Sequence, residues 1–117
     1  MLRNLLVIVA ALALAGCQES KTKVLLGGTL IASPGAAPIE DSIVVVTSGT
    51  IRAAGTRKDV PVPQDSDRID MTGKWLVPAG AEPIAAGKPA DLNVLEHAPR
   101  STADAPVRKM TGGNWAN

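Results

Sequence analysis

Phenylalanine and tyrosine are both missing from this 117-residue chain, whose only aromatic side chains are Trp75 and Trp115. Two tryptophans are too little material for a base-stacking surface. A balance of 12 Lys plus Arg against 11 Asp plus Glu leaves no basic stripe for a phosphate backbone. Neither nucleic acid nor an anionic membrane surface is therefore implied by charge. Cys17 is the only cysteine, so no internal disulfide can form. His97 is the only histidine, and one imidazole cannot build a hydrolytic metal centre, which needs several converging ligands around an open position. Without aromatics other than tryptophan, a core must come from Val, Ile, Leu and Ala. A chain this short forms one small domain at most, with a narrow margin of stability.

What the chain does carry begins at its N-terminus. Arg3 supplies a positive charge, Leu5 to Leu14 is an uninterrupted apolar run, and "LAGC" ends at Cys17. The run is too short for a hydrocarbon core that takes about 20 helical residues to cross, so it reads as the apolar region of a cleaved signal helix. Leu14, Ala15, Gly16 and Cys17 resemble the lipobox of bacterial lipoproteins. That resemblance implies a diacylglyceryl group on the Cys17 sulfur, cleavage before Cys17 and acylation (palmitate) of the new amino group. A free cysteine, following an ordinary signal peptide or ending a buried helix, is the competing reading. Two or more acyl chains give stable anchoring, so a lipidated Cys17 fixes the mature protein to the periplasmic face of the cell envelope. Gln18 in place of Asp points to the outer membrane if the source is Gram-negative. On this reading residues 1–16 are the signal peptide and residues 17–23, polar and aperiodic, the lipidated tether. Losing Arg3 leaves the mature chain formally neutral.

From Val24 onward the pattern is one of short strands. "KVLLGGTLI" is β-rich around a glycine pair, "SIVVVTS" is a β-branched run, and "GTIRAAG" follows directly on Ser48-Gly49, a hairpin signal. "TRKDVPVPQDSD" carries two prolines and predicts an extended loop or edge segment. "RIDMTGKWLVP" predicts a strand, a turn at Thr72-Gly73 and a second strand, and the tail allows a last hairpin through Gly112-Gly113, with Trp115 packing on its own domain or fraying in preference to offering itself to a partner. Clean helical periodicity is missing after the signal, and "PIAAGKPA" is at best one helical turn or a loop. The fold class predicted is all-β, a small β-sandwich of short strands.

The order of these elements carries a second resemblance. Val24 to Gly80, with Gly28-Thr29-Leu30, "IEDSIVVV", "SGTIRAAG" and "IDMTGKWLVPAG", resembles the N-terminal segment of the amidohydrolase superfamily, the imidazolonepropionase-like and dihydroorotase-like metal-dependent hydrolases. "AAGKPADLNVLEHAP", Ala85 to Pro99, is similar to the segment in which those enzymes leave their catalytic barrel. In that family the two segments pair into one β-sandwich beside a (β/α)8 barrel that holds the chemistry. The implied domain is thus residues 24–117, with residues 24–80 joined to residues 85–117.

The departure from the family decides the functional expectation. Its members enter the first barrel strand with His-x-His; here Gly80 is followed by "AEPIAAGKPADL". His97 matches no ligand position and reads as a solvent-facing loop residue. Asp65, Asp67 and Asp70 lack the glycine and distal Glu of a calcium loop and read as a solvated turn. Asp91 matches the aspartate of the family's "ADL", whose implied role is structural at a strand entry. Gly27-Gly28 lacks the context of a phosphate loop and reads as close packing or a bulge. No catalytic residue, metal ligand or cofactor is expected. A connection of about ten residues can join two neighbouring strands where the barrel would stand. The expected function is a lipid-anchored, non-catalytic binding or structural module, its partners the membrane through Cys17 and a protein on the face the barrel would cover. The alternative is a remnant or accessory subunit of an amidohydrolase acting on carbon-nitrogen bonds other than peptide bonds.

Overall fold

The structure is a computed structural model that describes residues 22–99 and 105–116; the expected signal peptide and lipobox and most of the expected tether lie outside the described residues. It is all-β, with no helix among the described residues. The strands are β1 (Thr22–Leu26), β2 (Thr29–Leu30), β3 (Ser42–Thr47), β4 (Thr50–Thr56), β5 (Asp67–Asp70), β6 (Trp75–Pro78), β7 (Leu92–Leu95), β8 (Arg108–Thr111) and β9 (Asn114–Ala116). They form two mixed sheets, one ordered β4-β3-β1-β5 and the other β2-β6-β7-β8-β9. β1 pairs β5 and β2 pairs β6 in parallel; every other pairing is antiparallel.

Local chemistry explains where the chain turns. Ser48 and Gly49 both have positive φ, 51° and 84°, the twist that a tight two-residue hairpin requires. β3 and β4 flank that turn, and the register slips between Val45 and Val46, leaving Arg52 as the extra residue of a bulge. Gly27-Gly28 is the corner at which the chain leaves the first sheet for the second. A Cβ on Gly28 would stand 3.1 Å from the Met71 Cβ and carbonyl oxygen, so close packing accounts for the pair. The buried Ser42 hydroxyl donates to the Gly28 carbonyl at 2.8 Å and fixes the corner to β3. The hairpin through Gly112-Gly113 joins β8 to β9.

β3 reads as one apolar run because both of its faces are covered. Val44 and Val46 enter the core between the sheets with Leu25, Leu76, Leu92 and Met110. Ile43 and Val45 face the other way, with Val24, beneath Val60 and Val62 of the proline-rich connection between β4 and β5. Buried apolar surface at about 25 cal/mol per Å2 drives both contacts, and the absence of Phe and Tyr leaves the work to aliphatic side chains. Trp115 packs at the edge of the main core, as expected for a residue that covers its own domain.

Candidate functional site

The feature that organises the molecule lies in the connection from β6 to β7. These strands are antiparallel neighbours, with Trp75 opposite Leu95 and Pro78 opposite Leu92. Residues 79–91 make the link between them, and it is packed into the fold. Its neck is closed by the Ala79 amide donating to the Asp91 carbonyl at 3.2 Å. Ile84 drops into the main core at 2% exposure, and its amide donates to the Ala32 carbonyl at 2.8 Å.

The second half of this link, Gly87 to Asp91, ties the two sheets together at one end. The Ile51 amide donates to the Lys88 carbonyl at 2.8 Å and the Ala90 amide to the Gly49 carbonyl at 3.0 Å, which holds the β3–β4 hairpin. On the other side the Gly113 amide donates to the Ala90 carbonyl at 3.1 Å, which holds the β8–β9 hairpin. Ala90 is fully buried between the two tips. The Asp91 carboxylate accepts from the Gly112 amide at 2.7 Å, the structural role at a strand entry that the resemblance implies. "GKPAD" is thus a cross-sheet staple.

The other residues singled out by the sequence fall apart from one another. Asp65, Asp67 and Asp70 lie along one edge, Asp67 and Asp70 at opposite ends of β5, and Asp65 has a positive φ of 56°. Asp70 makes an Asx turn: its Oδ1 accepts from the Thr72 hydroxyl at 2.6 Å and the Thr72 amide at 2.9 Å. These two bonds, the hydroxyl first, hold the Asp70 carboxyl below its ordinary range. His97 is exposed beyond the end of β7, with Nδ1 3.2 Å from the Ala98 carbonyl. Among the described residues, no three His, Cys, Asp or Glu side chains gather into a group that could hold a metal ion. Cys17 and the lipobox residues Leu14, Ala15 and Gly16 lie outside the described residues.

Sequence reasoning did not find the packing of Arg108 on Trp115, whose guanidinium carbon stands 3.8 Å from the ring centroid. The two residues lie on adjacent strands, and only the register of β8 on β9 brings them together. Among the described residues the exposed large hydrophobic side chain is Val107, at 48%.

No protein-family model matches the chain, and comparison with curated proteins finds no match. Among solved structures it is similar to a molinate hydrolase, at 32% identity and TM-score 0.46 over 53% of this chain and 13% of that one. It is also similar to a dihydropyrimidinase from Brevibacillus agri, at 24% identity and TM-score 0.41 over 50% of this chain and 12% of that one. The E. coli guanine deaminase matches at 23% identity and TM-score 0.42 over 52% of this chain and 17% of that one. These are amidohydrolase-family proteins. The matched part spans between 12% and 17% of the length of these three.

Proposed function

We propose that the protein is a non-catalytic binding or structural module of the cell envelope, anchored by lipid on Cys17. The observation that carries this reading is the link of residues 79–91. It joins two neighbouring strands, buries Ile84 and staples both hairpin tips, so the two amidohydrolase-like segments complete one another's sheet without an inserted domain. Anchoring is supported by Arg3, the apolar run and "LAGC" in their expected order. A protein partner meets a mostly polar surface, because the described residues expose little large apolar area. The test is purification of the lipidated protein from membranes, with mass spectrometry of its N-terminal peptide, assays against amide, imide and aminopurine substrates, and metal analysis. Lipid on Cys17 with neither turnover nor stoichiometric metal is the expected result. Hydrolysis together with stoichiometric zinc would overturn it.

A second reading is favoured by one observation, the pairing of "WLVP" in β6 with "LNVL" in β7 in the order that the superfamily uses. On that reading the chain is a remnant or accessory subunit of an amidohydrolase acting on non-peptide carbon-nitrogen bonds. Its barrel comes from another chain, and co-purification of a barrel protein bearing His-x-His is the result that would select it.

A further inference from the structure

We infer that the stapled end of the sandwich, formed by the tips at Ser48-Gly49, Lys88-Pro89 and Gly112-Gly113, is the end that faces the lipid surface. The inference rests on the lipid-anchored reading of Cys17 and adds an orientation to it. Its first support is covalent. Only residues 18–21 separate Cys17 from Thr22, where β1 begins. A chain spans at most roughly 3.3–3.6 Å per residue, so Thr22 stands no more than about 18 Å from the lipidated cysteine.

Strand pairing then says what lies beside Thr22. Thr22 is opposite Thr47, the last residue of β3, so the start of β1 is level with the Ser48-Gly49 turn. That turn touches the Gly112-Gly113 turn of the second sheet, where a Cβ on Gly49 would stand 2.8 Å from the Gly112 carbonyl oxygen. Both sheets therefore bring the same end toward the anchor.

Charge is distributed accordingly along the strand direction. Ser48, Thr50, Pro89, Gly112 and Asn114 at the stapled end are exposed and carry no charge. Two of the charged side chains beside them are satisfied: Lys88 pairs with Glu82 at 3.1 Å and the Asp91 carboxylate accepts from the Gly112 amide, while Arg52 and Lys109 stand exposed further along β4 and β8. The far end carries Asp41 with Arg57, Lys74 with Glu96, and the capped Asp70. A tip whose outermost residues carry no charge can approach a headgroup layer at low desolvation cost, whereas the opposite end would have to desolvate charged side chains, paired or not. The ligand is the bilayer surface itself, recognised through tethering and low desolvation cost rather than through a basic patch.

The test uses the full lipidated chain in zwitterionic vesicles. With Cys17 blocked by its thioether, single cysteines at Asn114→Cys and Thr50→Cys report on the stapled end, and Glu96→Cys and Lys58→Cys on the other. All four positions are exposed. Glu96 lies five residues beyond the level of Asn114, about 17 Å along the sheet at roughly 3.4 Å per residue. Each is labelled with the same fluorophore and exposed to a contact-range nitroxide on the lipid headgroup, and circular dichroism checks each variant's fold. Severalfold stronger quenching at positions 114 and 50 than at 96 and 58 is the expected result. Equal or reversed quenching, with lipid on Cys17 confirmed by mass, overturns the orientation and leaves the anchor standing. Absence of lipid on Cys17 overturns both.

Discussion

Gly49 and Gly113 meet backbone to backbone across the two sheets: a Cβ built on Gly113 would stand 2.8 Å from the Gly49 Cα and 3.1 Å from its nitrogen. Nothing larger than hydrogen fits there. The contact lets Ala90 reach both hairpin tips at once, which is what makes Gly87 to Asp91 a staple and not a loop.

Gly113→Ala is therefore expected to cost more than a left-handed residue alone. Gly113 and Gly35 share nearly the same φ, 82° and 81°, but a Cβ on Gly35 has open space around it. Gly35→Ala should lose the roughly 1–2 kcal/mol of an L-residue in that region. Gly113→Ala should lose clearly more, because backbone must move as well. Urea unfolding of both variants, followed by circular dichroism and tryptophan fluorescence, measures the difference. Equal losses would mean that the tips are not in firm contact.

Asp91 supplies the polar half of the same staple. Replacing it with Ala removes the acceptor for the Gly112 amide and should destabilise by about 1–2 kcal/mol, whereas Asn keeps an oxygen in place and should lose less. Amide exchange at Gly112 gives an independent readout, since it should accelerate in Asp91→Ala before global unfolding does. Unchanged exchange would assign the stability of the tip to backbone contacts alone.

Asp70 should make stability depend on pH at the acid end. Its folded carboxyl titrates below the ordinary range because the Thr72 hydroxyl and amide donate to its charged form. The unfolded chain then binds the proton first, so the contribution is present above the usual carboxylate value of about 3.9 and fades as pH falls through the lower folded value. Thr72→Val removes the hydroxyl donor and should move the Asp70 titration upward, toward the ordinary value. An NMR titration of the Asp70 carboxyl reads this directly, and an unmoved midpoint would show that the amide bond alone holds it.

Much of the fold was legible in the sequence, and the reasons differ by element. β-branched runs and the Ser48-Gly49 and Gly112-Gly113 turns disclosed the hairpins, because such turns need residues that tolerate positive φ. Sheet membership was not legible. β1 pairs in parallel with β5, some forty residues along the chain, and local periodicity holds no record of that partner. The run "SIVVVT" likewise could not disclose that its outer face lies under Val60 and Val62, since their connection reads as extended loop. Asp91 could be assigned a structural role through the resemblance, but its partner Gly112 is 21 residues away and emerges only from the packing of tips. The expectation for Cys17 rests on its motif alone, since it belongs to the part of the chain outside the described residues.

Ile84 tests whether the link of residues 79–91 is part of the core. Its side chain is 2% exposed and belongs to the cluster between the sheets. Ile84→Ala should cost about 2–5 kcal/mol, the range for emptying a buried aliphatic site. A surface-like loss below about 1 kcal/mol would instead mark the link as loosely laid over the core.

The same link offers a direct test of how the two segments relate. Gly80, Ala81 and Glu82 are exposed, ahead of the buried Ile84 and the staple, so chain inserted between Gly80 and Ala81 should leave both intact. Closure entropy grows slowly, and doubling the length of a flexible connection costs only about 0.6 kcal/mol. A flexible insertion of the same length as the link should therefore lower the urea midpoint slightly and keep one coincident transition by both probes. If the sheet is instead held in register by the shortness of the link, the insertion will separate the two transitions, because strands β6 and β7 would no longer find each other before the rest of the sandwich forms. That outcome would mean that the short connection is a requirement of this fold.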